Sequence, residues 1–463
     1  MSPLLAAILA YVALQLVIGF VVSRGIRTED DYLVAGRRMG PVLVTATMFA
    51  TWFGAETCLG GAGSAYADGV SAATAEPFAY GLCIVLMGVV FAARLWRGRI
   101  TTLADVLRRR YGPGVERLAA LILIPTSVLW AAAQVRAFGQ VLASVSELDV
   151  RVAVTVAAGI VVTYTLFGGL LADAITDLVQ GGVLLVGLCV LLCGVVVGLG
   201  GPLEAVRAIP ADSLRFLPQG ASALELLEAW SIPILGSVVA QELVVRASAA
   251  RSARVARGGA ILAGSLYVVV GLVPVTLGLL GRELHPGLED PESVLPVLAR
   301  EQLGPILFVV FAGALVSAIL STVDSTLLVA SSLLSHNLVL PLLGERASDA
   351  KKVRIARLGV AGFGILAWLL ALEAQGVYAL IEESSALGSA GILVVVVFAL
   401  FTRFGRRGSA YLALVAGLLV YVLGSRLAWP APFVASLAAA LGAYLLGAAG
   451  TGGAPRDRTS APE

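Results

Sequence analysis

Hydroxyls and carboxylates placed inside apolar runs are the groups in this sequence that could do chemistry. Ser317, Ser321, Thr322, Asp324, Ser325 and Thr326 crowd into ten residues of one long apolar segment. Hard cations take oxygen ligands, so such a cluster suits a small monovalent ion such as sodium. Helical hydroxyls also bond back to their own carbonyls, the plain structural account, but that does not explain Asp324. The run from Thr45 to Tyr66 is the second such place, with Glu56 set among Gly54, Gly60, Gly61 and Gly63. Glycine frees the backbone to unwind, and an unwound turn presents carbonyl oxygens to a cation. The glycines alone fit close helix packing equally well. Trp52, one turn from Glu56 on the same face, tips the reading toward a site. Other polar residues in apolar runs are Asp177 with Gln180, Arg136 with Gln134 and Gln140, and Gln241 with Glu242. A lone arginine at membrane depth needs a partner, and an intramembrane glutamate is the expected one for Arg136.

The elements that carry these groups follow from composition. Of 463 residues, 59% are apolar and 13% charged, and the mean hydropathy is +0.94. Soluble domains carry roughly 25% charge, so a soluble enzyme, a nucleic-acid binder and a disordered chain are all excluded. The two histidines, His285 and His336, leave little scope for histidine-based metal or triad chemistry, and no nucleophile–base pair is visible. An enzyme is therefore not expected. Cys58, Cys83, Cys189 and Cys193 all lie in apolar runs and read as small core hydrophobes.

A membrane-spanning helix takes about 20 apolar residues. The pattern predicts an all-α polytopic membrane protein with about thirteen spans: 4–22, 42–66, 77–95, 118–145, 150–167, 174–199, 224–244, 258–280, 304–337, 354–373, 377–402, 409–426 and 431–449. The first is read as a retained helix, since no small-residue cleavage site follows it. Basic residues support the count. Twenty-five of the 32 fall in alternate loops and the tail, with Arg246 assigned to the loop after the seventh span, while six fall in the opposite loops. Cytoplasmic loops collect arginine and lysine, which puts the N-terminus outside and the C-terminus in the cytoplasm of a plasma (inner) membrane protein. Residues 282–301 read as an outer surface loop with a short interfacial helix. Residues 1–449 form a single transmembrane unit, and 450–463 read as a disordered cytoplasmic tail.

Taken in order, these stretches resemble the sodium:solute symporter family. The markers are Asp31-Tyr-Leu-Val-Ala-Gly-Arg37, Trp52-Phe-Gly54, Gly60-Gly-Ala-Gly63, Tyr164-Thr-Leu-Phe-Gly-Gly169, Thr176-Asp-Leu-Val-Gln180 and Ser321-Thr-Val-Asp-Ser325. The resemblance implies a leucine-transporter-like fold of two inverted five-helix repeats, about 42–199 and 224–402. It implies a sodium site between the second and ninth spans. The backbone ligands would be Ala50, Phe53 and Ala318, and the hydroxyl ligands Ser321 and Thr322. Asp177 matches a position near the ion route, and Asp324 joins it as an ion-coupling candidate. Trp52 stands where proline symporters carry an acidic residue. The sub-pattern is similar to that of high-affinity choline transporters, whose aromatic enclosure would map to Trp52, Tyr80 and Trp130. A further aromatic of that enclosure is Ala240 here, which suits a different organic cation or a neutral solute. Cation–π contact is worth about 2 kcal/mol or more when desolvated. Packing against neighbouring helices is the other account of these rings. Glu56 could balance a cationic amine, and Gln241 completes the candidate solute site.

The expected function is sodium-coupled symport of a small organic solute, an organic cation or amine among the candidates, with sodium as coupling ion rather than a prosthetic cofactor. The expected partners are solute, sodium and the lipid bilayer, with no nucleic acid. The competing readings are a proton-coupled transporter of the same fold, using Glu56, Asp177 or Asp324, and a solute sensor working with a separate signalling partner.

Overall fold

The computed structural model describes residues 27–71, 75–144, 148–167, 170–218, 220–343, 348–374 and 377–449, together with isolated positions before Arg27 and Ser146. The expected first span, 4–22, lies mostly outside the described residues, and the tail 450–463 and the marker residues Gly168 and Gly169 lie outside them entirely.

Proline and small polar residues start the helices. Pro41 follows Gly40 to open α1 (Pro41–Trp52), where its missing N–H would be unpaired anyway. A bend of 53° separates α1 from α2 (Glu56–Asp68), and α3 runs Glu76–Arg97. Next come the short α4 (Leu103–Tyr111), α5 (Pro113–Ser144), α6 (Val150–Phe167) and α7 (Leu170–Gly198). Ser222 caps α8 (Ala223–Ser231), which a widened turn extends to Gly236 before α9 (Gln241–Ala249). Ser252 caps α10 (Ala253–Leu284), and Pro305 opens α11 (Pro305–Ser332). The order ends with α12 (Asp349–Glu373), α13 (Val377–Ser389), α14 (Ile392–Phe401), α15 (Arg407–Arg426) and α16 (Pro432–Ala449).

Among the described residues, nine helices are long and apolar enough to cross a membrane, or eleven if each bent pair is one span. The expected count of thirteen is not reached. One expected span lies mostly outside the described residues, and in α6 only Val150–Thr163 qualifies as a shorter apolar helix. In the expected outer loop, helix Val294–Gln302 forms where a short interfacial helix was read.

Position in the bundle follows from residue type. In α11 every residue from Phe311 to Ser332 is buried. Burial on every face marks a central helix, and α5, α7 and α12 pack around it. On the other side, α10 packs against α1 and α3. A single backbone bridge joins Met39 to Ala250, with Met39 N–H donating to Ala249 and Arg251 N–H to Met39, so the start of α1 is tied to the end of α9. The sequence reading placed all four cysteines in the core. The structure buries Cys58 and Cys83 but exposes Cys189 and Cys193 on the outer surface of α7. The second half of that helix, 183–198, is apolar on every face, so hydropathy could not tell its inner side from its lipid side.

Candidate functional site

Two interrupted helices frame the site. Phe53 leaves the helical region at φ −86°, ψ 63°, so α1 stops there. Gly54 is required by close approach: a Cβ on it would lie 2.5 Å from Thr322 Oγ1 and 2.7 Å from Glu56 Oε2. The second interruption is 237–240, between α8 and α9. At both places a span gives up helical bonds next to polar side chains, which membrane proteins tolerate where protein or a cavity covers the backbone.

Across the first break, Thr322 Oγ1 donates to the Thr51 carbonyl at 2.8 Å and contacts Ala318 O at 3.2 Å. One residue earlier, Ser321 Oγ donates to Asp177 Oδ1 at 2.5 Å. Thr47 also donates to Asp177, and Thr51 Oγ1 lies 3.5 Å from it. Ala50, Phe53, Ala318, Ser321, Thr322 and Asp177 are all buried. The candidate ion residues therefore gather at one junction of α1, α7 and α11, and the carbonyl that Thr322 reaches is that of Thr51, next to Ala50.

The fourth member of this junction was assigned elsewhere in the sequence reading. Arg246 had been counted in the loop after the seventh span. In the structure it is 0% exposed, and its Nη2 lies 2.7 Å from Asp173 and 3.6 Å from Asp177. The same nitrogen donates to Ser325 Oγ at 2.5 Å, and Nε donates to Thr47 Oγ1 at 2.9 Å. Asp324, 4% exposed, lies against Asp173 and accepts from Ser325 N–H at 2.9 Å. One guanidinium thus joins α9 to α1, α7 and α11 amid three carboxylates. Asp173 and Arg246 were missed because each sits near a span end, where hydropathy does not separate interior from interface. The signal that could have found them was a need for charge balance around Asp177.

The candidate solute residues divide. Trp52 and Trp130 meet edge to face with centroids 4.8 Å apart. Glu56 Oε2 accepts from Gln134 Nε2 at 2.8 Å, and Gln134 Oε1 in turn accepts the Ala55 N–H at the break. A cleft with about 390 Å³ of space free of protein atoms, counted to its mouth, opens between α5, α9 and α13. Trp130 and Gln241 line it; Tyr80 reaches its wall through Ser385, 3.3 Å from the phenol oxygen. Trp52 and Glu56 stand behind that wall rather than in it. Arg136 finds a carbonyl instead of the expected glutamate: Nη1 donates to Ala371 O at 3.2 Å, and among the described residues no carboxylate pairs with it. The carbonyl lies in the last turn of α12, where helical partners run out, and a sequence pattern could not place it beside α5.

On the arginine-rich side, a polar cluster ties α4 to the widened turn Leu333–Val339 that follows α11. Asn337 Nδ2 donates to Asp105 at 3.0 Å and to Glu116 at 2.8 Å, and His336 Nδ1 lies 2.8 Å from Glu29. Burial pushes the Asp105 carboxyl up, but hydrogen bonds from His336 and from the Thr102 and Thr101 N–H groups outweigh it. The net result is well below the usual carboxylate range.

The fold has close counterparts. A substrate-bound, outward-open Na+-coupled sialic acid symporter superposes with TM-score 0.84 at 18% identity, covering 96% of this chain and 97% of that one. Mhp1, a nucleobase-cation-symport-1 family transporter in a closed conformation, gives 0.64 at 14% identity, covering 91% and 94%. The architecture is the leucine-transporter-like one. In sequence, the chain is 28% identical over 418 residues to the high affinity choline transporter 1 of Homo sapiens, spanning 86% of this chain and 71% of that protein. It is 26% identical over 430 residues to the high-affinity proline transporter PutP of Bacillus subtilis (strain 168), spanning 87% and 88%. Such relatives are integral membrane transporters of small solutes, not enzymes. The family model described as "Sodium:solute symporter family" matches residues 32–418, and the chain belongs to that family of sodium-coupled solute symporters.

Proposed function

We propose that this chain moves a small organic solute, an amine or other organic cation, inward across the plasma membrane on the sodium gradient by alternating access. The arginine-rich face is then cytoplasmic, with the C-terminus on that side and the N-terminus outside. Sodium sits between α1 and α11, with carbonyl ligands from Ala50, Phe53 and Ala318 and hydroxyl ligands from Ser321 and Thr322. The observation that carries this reading is the 2.8 Å bond from Thr322 to Thr51 across the break. It sets the Thr322 hydroxyl against the α1 backbone at the break, with Asp177, bound by Ser321, nearby to offset a positive charge. Two repeats of about 42–199 and 224–402 fit the symmetry of the interruptions, since each repeat begins on a broken span.

Coupling follows from the ion's position. Sodium bridges a helix that rearranges and one that does not, so it binds one arrangement more tightly than the other and shifts the population accordingly. Asp177 and Asp324 belong to the Arg246 junction on the cytoplasmic side of the ion, and its opening separates α1 and α9 from α11 and releases the ion inward. Solute occupies the cleft between α5, α9 and α13, beside Trp130 and Gln241, with Trp52, Tyr80 and Glu56 shaping its wall from behind.

The test is sodium-dependent uptake or counterflow in proteoliposomes. Ser321→Ala and Thr322→Ala should each raise the sodium concentration for half-maximal flux tenfold or more, at normal folded yield. Unchanged sodium dependence in both variants would remove the ion site from this junction. Absence of solute counterflow in the parent protein would favour a sensor.

A further inference from the structure

Glu242 is an acid without a cationic partner at the wall of the cleft. It is 3% exposed, and its Oε1 accepts from Ser127 Oγ at 3.0 Å. Among the described residues no arginine, lysine or histidine stands within ion-pair distance of it. Arg246, one turn further along α9, pairs through Nη2 with Asp173 and Asp177, and its Nη1 donates to the main-chain carbonyl of Glu242 at 3.3 Å rather than to the carboxylate. A buried carboxylate is costly unless a positive group joins it. Here the side that remains open faces a cavity.

Its neighbour supplies the second half of the site. Gln241 Oε1 accepts the Leu103 N–H at 2.6 Å, which fixes the amide orientation. Its Nε2 is then a donor, is buried, and has no partner. Gln241, like Glu242, lines the cleft. Both residues therefore border one space, Glu242 with a carboxylate outside any ion pair among the described residues and Gln241 with a donor that has no partner. The rest of the lining adds Thr126, Ser127 and Ser385 hydroxyls, with Trp130 as the aromatic wall. Ala240, just before this pair, contributes no ring.

We propose that Glu242 and Gln241 recognise a solute bearing an ammonium group with N–H donors and a nearby oxygen acceptor, the ammonium on Glu242 and the oxygen on Gln241 Nε2. The proposal rests on the solute-symport reading of the cleft and names the chemistry that the cleft selects. A fully methylated ammonium has no N–H to give and depends on aromatic faces, of which this cleft offers one. An N–H ammonium gains a charge-assisted hydrogen bond to the carboxylate in addition.

The test uses two series of constant skeleton and graded N-methylation on the purified full-length protein. One runs from ethanolamine to choline, the other from glycine to its trimethylated form. Thermal stabilisation is titrated for each probe with and without sodium. Apparent affinity should fall by about tenfold or more from the primary amine to the fully methylated member of at least one series. Glu242→Gln should abolish that discrimination while the sodium-induced shift of the protein persists, which certifies folding. Choline or trimethylglycine binding as tightly as its parent amine, a Glu242→Gln variant with intact discrimination, or no stabilisation by any probe overturns the proposal. Graded amine binding that ignores sodium would instead remove the sodium coupling and leave the recognition standing.

Discussion

Arg246 Nη2 lies 2.7 Å from Asp173 Oδ2, and the two residues are 73 positions apart on different helices, both buried. The pair ties α9 to α7, and the same guanidinium also holds Thr47 of α1 and Ser325 of α11. Breaking a buried pair from one side is far costlier than the pair itself is stabilising, since an uncompensated charge remains.

Arg246→Gln should therefore destabilise the protein by about 3–5 kcal/mol. Combining it with Asp173→Asn should recover part of that loss, because both charges then go together. Thermal unfolding in detergent of the two single variants and the double variant measures this directly. A double variant as unstable as the sum of the singles would mean the two residues do not act as a pair.

Gly54 makes a separate prediction. Alanine there places a methyl against Thr322 Oγ1 and the Glu56 carboxylate. Overpacking of this kind costs about 1–3 kcal/mol. Gly54→Ala should lower the melting temperature and weaken sodium-driven flux more than Gly40→Ala, where a Cβ meets nothing within 4 Å. Equal effects at the two glycines would contradict the close approach.

Trp130→Ala removes a wall of the cleft and the edge contact with Trp52. The aromatic pair is worth about 0.5–1.5 kcal/mol beyond its buried area. Solute affinity should fall tenfold or more while the half-maximal sodium concentration moves little. Separate sodium and solute titrations in vesicles check the split, and a reversal of the two sensitivities would put the solute elsewhere.

The Asp105 cluster carries a pH signature. Its carboxyl titrates below its unfolded value, because the bonds from His336 and the α4 N-terminus outweigh burial. That contribution to stability is fully present above the ordinary aspartate value of about 4. It is lost as the pH falls through the depressed folded value. Asp105→Asn should flatten the acid limb of the melting curve below about pH 4, while changing little in the slope between neutral pH and that point. An unaltered acid limb would show that other groups control it.

Sequence reading went furthest where one residue type had one meaning. Ser321 and Thr322 were exceptional in an apolar run before any neighbour was known. It went least far at ends and faces. Arg246 was read as a loop cation, Arg136 was given a glutamate instead of the Ala371 carbonyl, and Cys189 and Cys193 were placed inside. Each error has one cause: hydropathy measures what a residue is, while its depth and facing depend on which helices surround it.

By itself, then, the sequence determined that this is a bundle of apolar helices with one glycine-loosened span, where hydroxyls and acids stand at membrane depth. Those features follow from local chemistry: chain stiffness, side-chain polarity and the length needed to cross hydrocarbon. The tertiary structure alone decided that Asp177 meets Ser321 and Thr47, that Arg246 closes on Asp173, and that Glu242 rather than Glu56 faces the open cleft. Such pairings join residues dozens to hundreds of positions apart, and helix packing in three dimensions selects among many partners of equal chemistry.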